Sequence, residues 1–239
     1  MTFDKTTQTA AVIGAMECEV SLLCGLLENR REYREGRFVF HRGKIGGTDV
    51  VIARAGVGKV NAAVCTATLI AKFSPAFVIN TGCMGGIDPV LRQNDVVVAT
   101  DTVEYDITYG SLGTPDGVIF LPDGGEADSF ACDPEISERL CEAVEGCGKT
   151  AHRGRIVSGD RFVSDAVFKN YLRERFGASG CEMEGAAAAH ACALAKVPFG
   201  LVRSVSDTAD GDAGISFEAF AEGASRLSAQ IVSEFISLL

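Results

Sequence analysis

The sequence predicts an α/β fold in which helices cover both faces of one sheet, and three observations carry that prediction. Short apolar runs such as Thr9–Gly14 and Ala76–Thr81 alternate with stretches of helical spacing, and the second run lacks the in-out alternation of a half-exposed strand. Strand ends repeatedly break into glycine, as in Gly82-Cys83-Met84-Gly85-Gly86 and Ser158-Gly159-Asp160. The stretch Cys181–Asp207 then shows one unit whole: a strand Cys181–Glu184, an alanine-rich helix Gly185–Ala195, a turn at Val197-Pro198, and a strand Phe199–Ser206 ending on Asp207. It reads as half of a parallel crossover unit, which gathers strand ends and helix N-termini around a ligand. With 239 residues and no internal repeat, the whole chain, 1–239, is expected to form a single domain.

Charge and composition exclude several classes of partner. Asp and Glu number 32 against 22 Lys and Arg, a net charge of −10, so no basic stripe is available for nucleic acid or for an anionic membrane. The segment Met1–Gln8 is polar and no window approaches a membrane span, which predicts a cytoplasmic protein. Nine cysteines without a C-x-x-C pair, and three histidines (His41, His152, His190) apart from them, point to reduced core thiols. No metal or other cofactor is expected.

Taken in order, Thr9–Gly14 is a strand and Glu17–Leu27 a helix with Val20, Leu23 and Leu27 on one stripe. Glu17 and Glu19 stand in its first turn, where carboxylates complement the helix dipole. Arg37–Ile45 and Thr48–Arg54 form a hairpin on Gly46-Gly47. The run Ala55-Gly56-Val57-Gly58-Lys59-Val60-Asn61 matches a dinucleotide fingerprint only in its first two glycines, because Asn61 takes the place of the third. It reads instead as a tight turn that lets a ligand approach the backbone, opening a helix with Val60, Ala63, Val64, Ala67 and Ile70 inward.

Ala76–Thr81 and Asp95–Thr100 are the next strands, the first running into a glycine loop that carries Cys83. Tyr105–Ala131, rich in Gly, Pro and Asp, is a long loop of the functional kind, a lid or a subunit contact. Pro134–Glu145 is a helix with proline in its first turn, His152–Ser158 a strand and Asp165–Phe176 a helix. Beyond Asp207 a polar acidic loop runs to Gly214, and Ser216 caps a closing helix. Along that helix Phe217, Phe220, Ala224, Leu227, Ile231, Phe235 and Leu238 keep helical spacing. Glu184 alone could be a helix cap and Asp207 alone the start of a turn, but two acids at two strand ends point to a site.

The residues at the separated strand ends resemble those of the 5'-methylthioadenosine/S-adenosylhomocysteine nucleosidases, within the purine nucleoside phosphorylase superfamily. The resemblance runs from Val12 onward and rests on Ile13-Gly14-Ala15-Met16-Glu17-Cys18-Glu19, Asn80-Thr81-Gly82, Ser158-Gly159-Asp160, Glu182-Met183-Glu184 and Arg203-Ser204-Val205-Ser206-Asp207, in the family's order. It implies a nucleoside phosphorylase-like fold, a central mixed, twisted β-sheet flanked by helices, and a homodimer acting on a small-molecule nucleoside. Residue by residue, it implies a water-activating acid at Glu19, a ribose-binding acid at Glu184 and a base-protonating acid at Asp207, with Arg203 and Ser206 in support. Phe162 would stack on the purine and the Val163 backbone would read its edge. Met16, Met183 and Val57 would line the sugar and the 5'-substituent, with Glu182 beside them, and Phe217 would close the thioether end. Cys83-Met84 stand where the family often has Ser-Ala, at a contact near the attacking water, and Glu104–Gly125 differs from the better-known bacterial members.

Elementary chemistry agrees with that assignment. Cleaving a ribose–nitrogen bond builds positive charge on the sugar and negative charge on the purine, so it calls for an acid at the base, anionic support at the sugar and an activated nucleophile. A phosphorylase would need a cation cluster where its phosphate enters, whereas the first strand end offers Met16, Glu17 and Glu19. A futalosine-type hydrolase of the same superfamily is a further alternative. A non-catalytic adenosyl-binding module is the rival of another class, and it has no reason to bury acids at three converging positions.

Overall fold

The computed structural model describes residues 8–207 and 213–239, without the side chains of 213–219. Its strands are β1 (Thr9–Gly14), β2 (Glu28–Glu35), β3 (Phe38–Ile45), β4 (Thr48–Arg54), β5 (Phe77–Gly86), β6 (Val96–Glu104), β7 (Ile119–Phe120), β8 (Glu126–Ala127), β9 (Phe130–Ala131), β10 (Ala151–Ser158), β11 (Ala178–Glu182) and β12 (Phe199–Asp207). The helices are α1 (Glu17–Leu26), α2 (Lys59–Phe73), α3 (Pro134–Gly146), α4 (Ala166–Phe176), α5 (Gly185–Ala195) and α6 (Ala213–Ser237).

The main sheet is mixed and runs β11-β10-β6-β12-β5-β1-β4-β3-β2, with β9 added to β6. β11 also pairs back onto β5, so β5, β12, β6, β10 and β11 close a ring from which β1, β4, β3 and β2 extend as a wing. This closure explains the position of the site. One edge of β5 pairs with β1 over Phe77–Asn80 and with β11 over Gly85–Gly86, while the other edge follows β12 throughout. Between Thr81 and Met84 that first edge has changed partners, leaving a gap at a switch point where side chains can enter.

Two sequence expectations change here. Gly82–Gly86 is not a loop but the second half of β5, because pairing with β12, joined by β11 at Gly85–Gly86, outweighs the poor strand propensity of glycine. The strand before α5 ends at Glu182 and runs antiparallel to β5, which itself lies parallel to β12. The two strands flanking α5 are therefore not a parallel crossover pair.

Helices α1, α3 and α6 bury Leu23, Leu140 and Phe235 on one face of the sheet, and α2 and α5 bury Leu69 and Cys192 on the other. Asp133 caps α3 by accepting from the Glu135 and Ile136 amides, with Pro134 at the first position. The inward face expected for α2 is overturned: Ala62, Cys65, Thr66 and Leu69 are buried, whereas Val60 and Val64 are 72% and 49% exposed. Small residues let the helix lie close to the sheet, and the larger valines face α5 across an open groove.

On α6, Ala224, Ile231 and Phe235 are buried as expected, but Phe220 is exposed, as is Leu238 just past its end. The helix begins at Ala213, upstream of the expected cap Ser216, whose side chain lies outside the described residues, as does most of the loop after Asp207. β2 is an edge strand of sequence ENRREYRE, solvated on both faces and lacking the period that would announce it. Within the long 105–131 segment, β7 and β8 form a small hairpin and Phe130–Ala131 joins β6.

Candidate active site

Glu19 enters the gap beside β5. Its carboxylate turns back over the start of α1, where Oε2 accepts from the amides of Ala15 at 2.6 Å and Met16 at 2.8 Å. Oε1 accepts from the Cys83 amide at 3.3 Å and from the Cys83 thiol at 3.8 Å. The backbone N–H of β5 thus finds a carboxylate where a neighbouring strand would otherwise be. Gly82 makes this possible, since a Cβ there would collide with Oε1. Burial pushes the Glu19 carboxyl above its usual range, opposed by Arg203 and the backbone donors. Glu17, two positions earlier, is exposed and pairs with Arg54.

The second carboxylate, Glu182, takes the capping role expected of Glu184. It accepts from the amides of Glu184 at 3.1 Å and Gly185 at 2.8 and 2.9 Å, and Ser158 Oγ donates to it and accepts from Ala186 N. The N-terminus of α5 is satisfied by these two side chains. Glu184, relieved of capping, accepts from the Gly58 amide at 2.8 Å across the cavity. Burial, and after it the nearby Glu182 carboxylate, raises the Glu184 carboxyl.

Arg203 is 2% exposed and stands behind this wall, donating to Glu182 Oε2 and Asn80 Oδ1. Asn80 in turn donates to the Ile13 carbonyl at 3.0 Å, tying β5 to β1. Arg203 does not line the cavity, so its place is to hold Glu182 and to supply positive charge near Glu19 and Glu184. The sequence motif Asn80-Thr81-Gly82 carries no evident side-chain chemistry; its meaning is structural and appears only with these bonds.

Asp207 closes the third side. A register shift between Val205 and Asp207 marks the end of β12, and such irregularities re-aim side chains. Ser206 Oγ bonds Asp207 Oδ2 at 2.8 Å and lies 3.2 Å from the Met84 carbonyl. On the loop after β10, Val163 is buried and Phe162 is 46% exposed. Tyr105 packs behind this loop, with its hydroxyl donating to the Arg161 carbonyl at 3.3 Å, and a Cβ on Gly159 would strike its ring. Gly180 similarly leaves room for the Met84 thioether.

These elements line a cavity that opens at its mouth, a space of about 580 Å³ part of which is continuous with solvent. Met16, Glu19, Val57, Cys83, Met84, Phe162, Val163, Glu182, Met183, Glu184, Ser206 and Asp207 all line it, together with Arg161, to which sequence reasoning gave no role. The Phe217 side chain lies outside the described residues. Among the described lining residues the cation is Arg161, whose guanidinium lies over Phe168 and pairs with Asp165 at the rim, away from Glu19. The arrangement can present an acid to a leaving group, carboxylate oxygens to a polyol and a buried base to water.

A family model described as the phosphorylase superfamily matches residues 9–237. A 5'-methylthioadenosine/S-adenosylhomocysteine nucleosidase of Chromohalobacter salexigens is 37% identical over 96% of this chain and 97% of its own length. The Staphylococcus aureus protein of the same name is 38% identical over 95% and 99%. The crystal structure of the Neisseria meningitidis nucleosidase with methylthio-immucillin-A superposes with a TM-score of 0.91 at 39% identity, covering 97% of this chain and 100% of that one. Futalosine hydrolase of Helicobacter pylori also superposes with a TM-score of 0.91, at 30% identity over 99% and 100%.

Proposed function

We infer the reaction from one premise: the chain belongs to the 5'-methylthioadenosine/S-adenosylhomocysteine nucleosidase family of the phosphorylase superfamily. It is an N-glycosyl hydrolase that cleaves 5'-methylthioadenosine, S-adenosylhomocysteine or both, with water, to adenine and the 5-thio-substituted ribose. The observation that carries hydrolysis over phosphorolysis is the charge at the nucleophile side. Glu19 lies there, buried, and the nearest guanidinium, Arg203, is taken up by Glu182 and Asn80. A carboxylate in that place repels phosphate and accepts a proton from water.

In this reading Asp207, oriented by Ser206, protonates the purine as the bond breaks. Glu184, fixed by the Gly58 amide, accepts hydrogen bonds from the ribose hydroxyls that strengthen as the sugar turns cationic. Glu19 removes a proton from the attacking water, and the hydroxide oxygen joins the anomeric carbon. Phe162 stacks on the purine, the Val163 backbone reads its edge, and Met16, Val57 and Met183 surround the sugar. Incubation with methylthioadenosine in phosphate-free buffer should release adenine and methylthioribose. Strict phosphate dependence with a sugar 1-phosphate product would overturn the reading. The superposition on futalosine hydrolase favours including futalosine in the same assay.

The proposal extends to the whole chain as one catalytic domain and to a homodimer. Support for the dimer is the exposed stripe of α2, with Val60 and Val64, facing Leu194 of α5, and the exposed Leu112 and Phe120 of the 105–131 segment. A second copy of this chain would cover them, and a monomer by light scattering at full activity would exclude it. Nine free thiols fit a reducing, cytoplasmic setting. Among the described residues no helix is long and apolar enough to cross a membrane.

A further inference from the structure

Among the described residues a partly buried ionic cluster outside the cavity takes no part in the reaction above. The Lys59 ammonium lies 3.1 Å from Glu104 Oε2 and 2.5 Å from Asp106 Oδ1, with its side chain 14% exposed and that of Glu104 8%. Glu104 Oε1 meets His190 Nδ1 at 2.9 Å, and the His190 ring stacks on Phe130. The Lys59 amide donates to Asp160 Oδ1 at 2.8 Å, while the Asp160 amide donates to Asp106 Oδ2 at 2.9 Å.

The cluster sits at the junction of two pieces that hold substrate. Gly58, directly before Lys59, gives the amide that fixes Glu184, at a φ of +99° that disfavours any residue but glycine. Asp160 precedes Phe162 and Val163 on their loop. A glycine turn is soft in isolation, and a rim loop with an exposed aromatic is equally so. Lys59 ties both, by its amide and by its ammonium, to the end of β6. Burial works against the charged forms of Lys59 and Glu104, and their pairing with one another, with Asp106 and with His190 outweighs it.

We propose that Lys59 is a positioning residue for the hydrolysis: clamped by Glu104 and Asp106, it fixes the Gly58 amide under Glu184 and, through Asp160, the loop that presents Phe162 and Val163. The inference rests on the nucleosidase reading above. It separates Lys59 from a surface ion pair, which would contribute little to anything and would tolerate exchange.

The test measures kcat/KM for methylthioadenosine beside melting temperature in Lys59→Met, Lys59→Arg and Lys59→Met/Glu104→Gln. Lys59→Met should lower kcat/KM roughly 10- to 100-fold, since small misplacements of binding groups cost that much. Lys59→Arg, which reaches both carboxylates, should recover most of it. Removing a buried cation alone can unfold the protein, so the double variant also neutralises Glu104, the more buried of its two partners, and leaves Asp106, 30% exposed, to solvent and to the Asp160 amide. The double variant should melt near the wild type and remain as impaired as Lys59→Met. A folded Lys59→Met or double variant within about twofold of wild type would overturn the proposal, because displacement predicts the larger loss. Failure of the nucleosidase reading is a separate result: the wild type itself would then release no adenine.

Discussion

The inner wall of the cavity and its rim are held by different means. Glu19, Glu182 and Asp207 are nearly inaccessible, and the first two are fixed by backbone amides of the β1–α1 turn, of β5 and of the start of α5. Val57 and Phe162 at the rim are about half exposed, and the turns that carry them are tied down by Lys59, Asp106 and Asp160. In the proposed reaction, charge that must be set to a given protonation state is thus built into the sheet, whereas groups that would admit and release a substrate hang on loops. A substitution in the wall should change chemistry at constant binding, and one at the rim should change binding first.

The largest expected effect is at Asp207. Asp207→Asn keeps shape and much of the hydrogen bonding, including a partner for Ser206, but cannot deliver the proton. Turnover should fall by about 3–5 kcal/mol of transition-state stabilisation while a tight adenine-nucleoside analogue still binds. Glu19→Gln should lose about 10²–10⁴-fold in kcat, against little change for Glu17→Gln, whose carboxylate is exposed beside Arg54. Equal loss of binding and turnover at Asp207 would move it from the wall's chemistry to simple purine anchoring.

Phe162→Ala probes the rim. Stacking of a base on an aromatic ring contributes about 1–3 kcal/mol, so KM should rise while kcat holds within a few-fold. A fall confined to kcat, read by steady-state kinetics, would erase the distinction between the two regions.

How much of this was legible in the sequence follows the same division. Strand ends, the glycine turns and the acids Glu19, Glu184 and Asp207 are visible because apolar runs and breakers mark where a strand stops. The closure of β11 onto β5 is not, because pairing between distant strands leaves no local period. For that reason Gly82–Gly86 reads as a loop, and Glu182 is overshadowed by Glu184 as the cap of α5. The buried face of α2 is missed because periodicity gives a stripe but not its sign: Val60 and Val64 suggest the core, and Ala62, Cys65, Thr66 and Leu69 occupy it. The strand Glu28–Glu35, charged at nearly every position, has no apolar face to detect.

A wall built for function should also cost stability. The Glu184 carboxyl is raised by burial and by Glu182, so the folded protein holds its proton more tightly than the unfolded chain does. The contribution of this group to stability is complete below the ordinary carboxylate range and is lost as pH rises through the raised value. Glu184→Gln, inactive, should therefore melt higher than the wild type by roughly 2–4 °C per kcal/mol recovered, with the gap widening from pH 5 upward. A gap that is constant across pH would show that ionisation of Glu184 costs the fold nothing.

The smallest effect sharpens the comparison most, because it changes the wall without removing a carboxylate. Glu19 Oε2 is held by two backbone amides, and Oε1 by the Cys83 amide and thiol. The thiol is a weak donor, and burial, then the Glu19 charge, pushes its own ionisation up to about 12, so it stays protonated and facing Oε1. Arg203 favours the charged form of Glu19, the Glu19 charge in turn opposes that of Glu184, and the Cys18 thiol lies near Cys83. Cys83→Ser places a stronger donor in the same position, which stabilises the Glu19 carboxylate and lowers its raised value. The acid limb of the kcat/KM profile should then shift to lower pH by a few tenths of a unit, about 0.5 kcal/mol, with the plateau changed less than a few-fold. Cys83→Ala, lacking any donor, should move the limb the opposite way. Limbs that coincide in all three proteins would reduce Cys83 to a filler of space, and would place control of the base entirely in the backbone amides and Arg203.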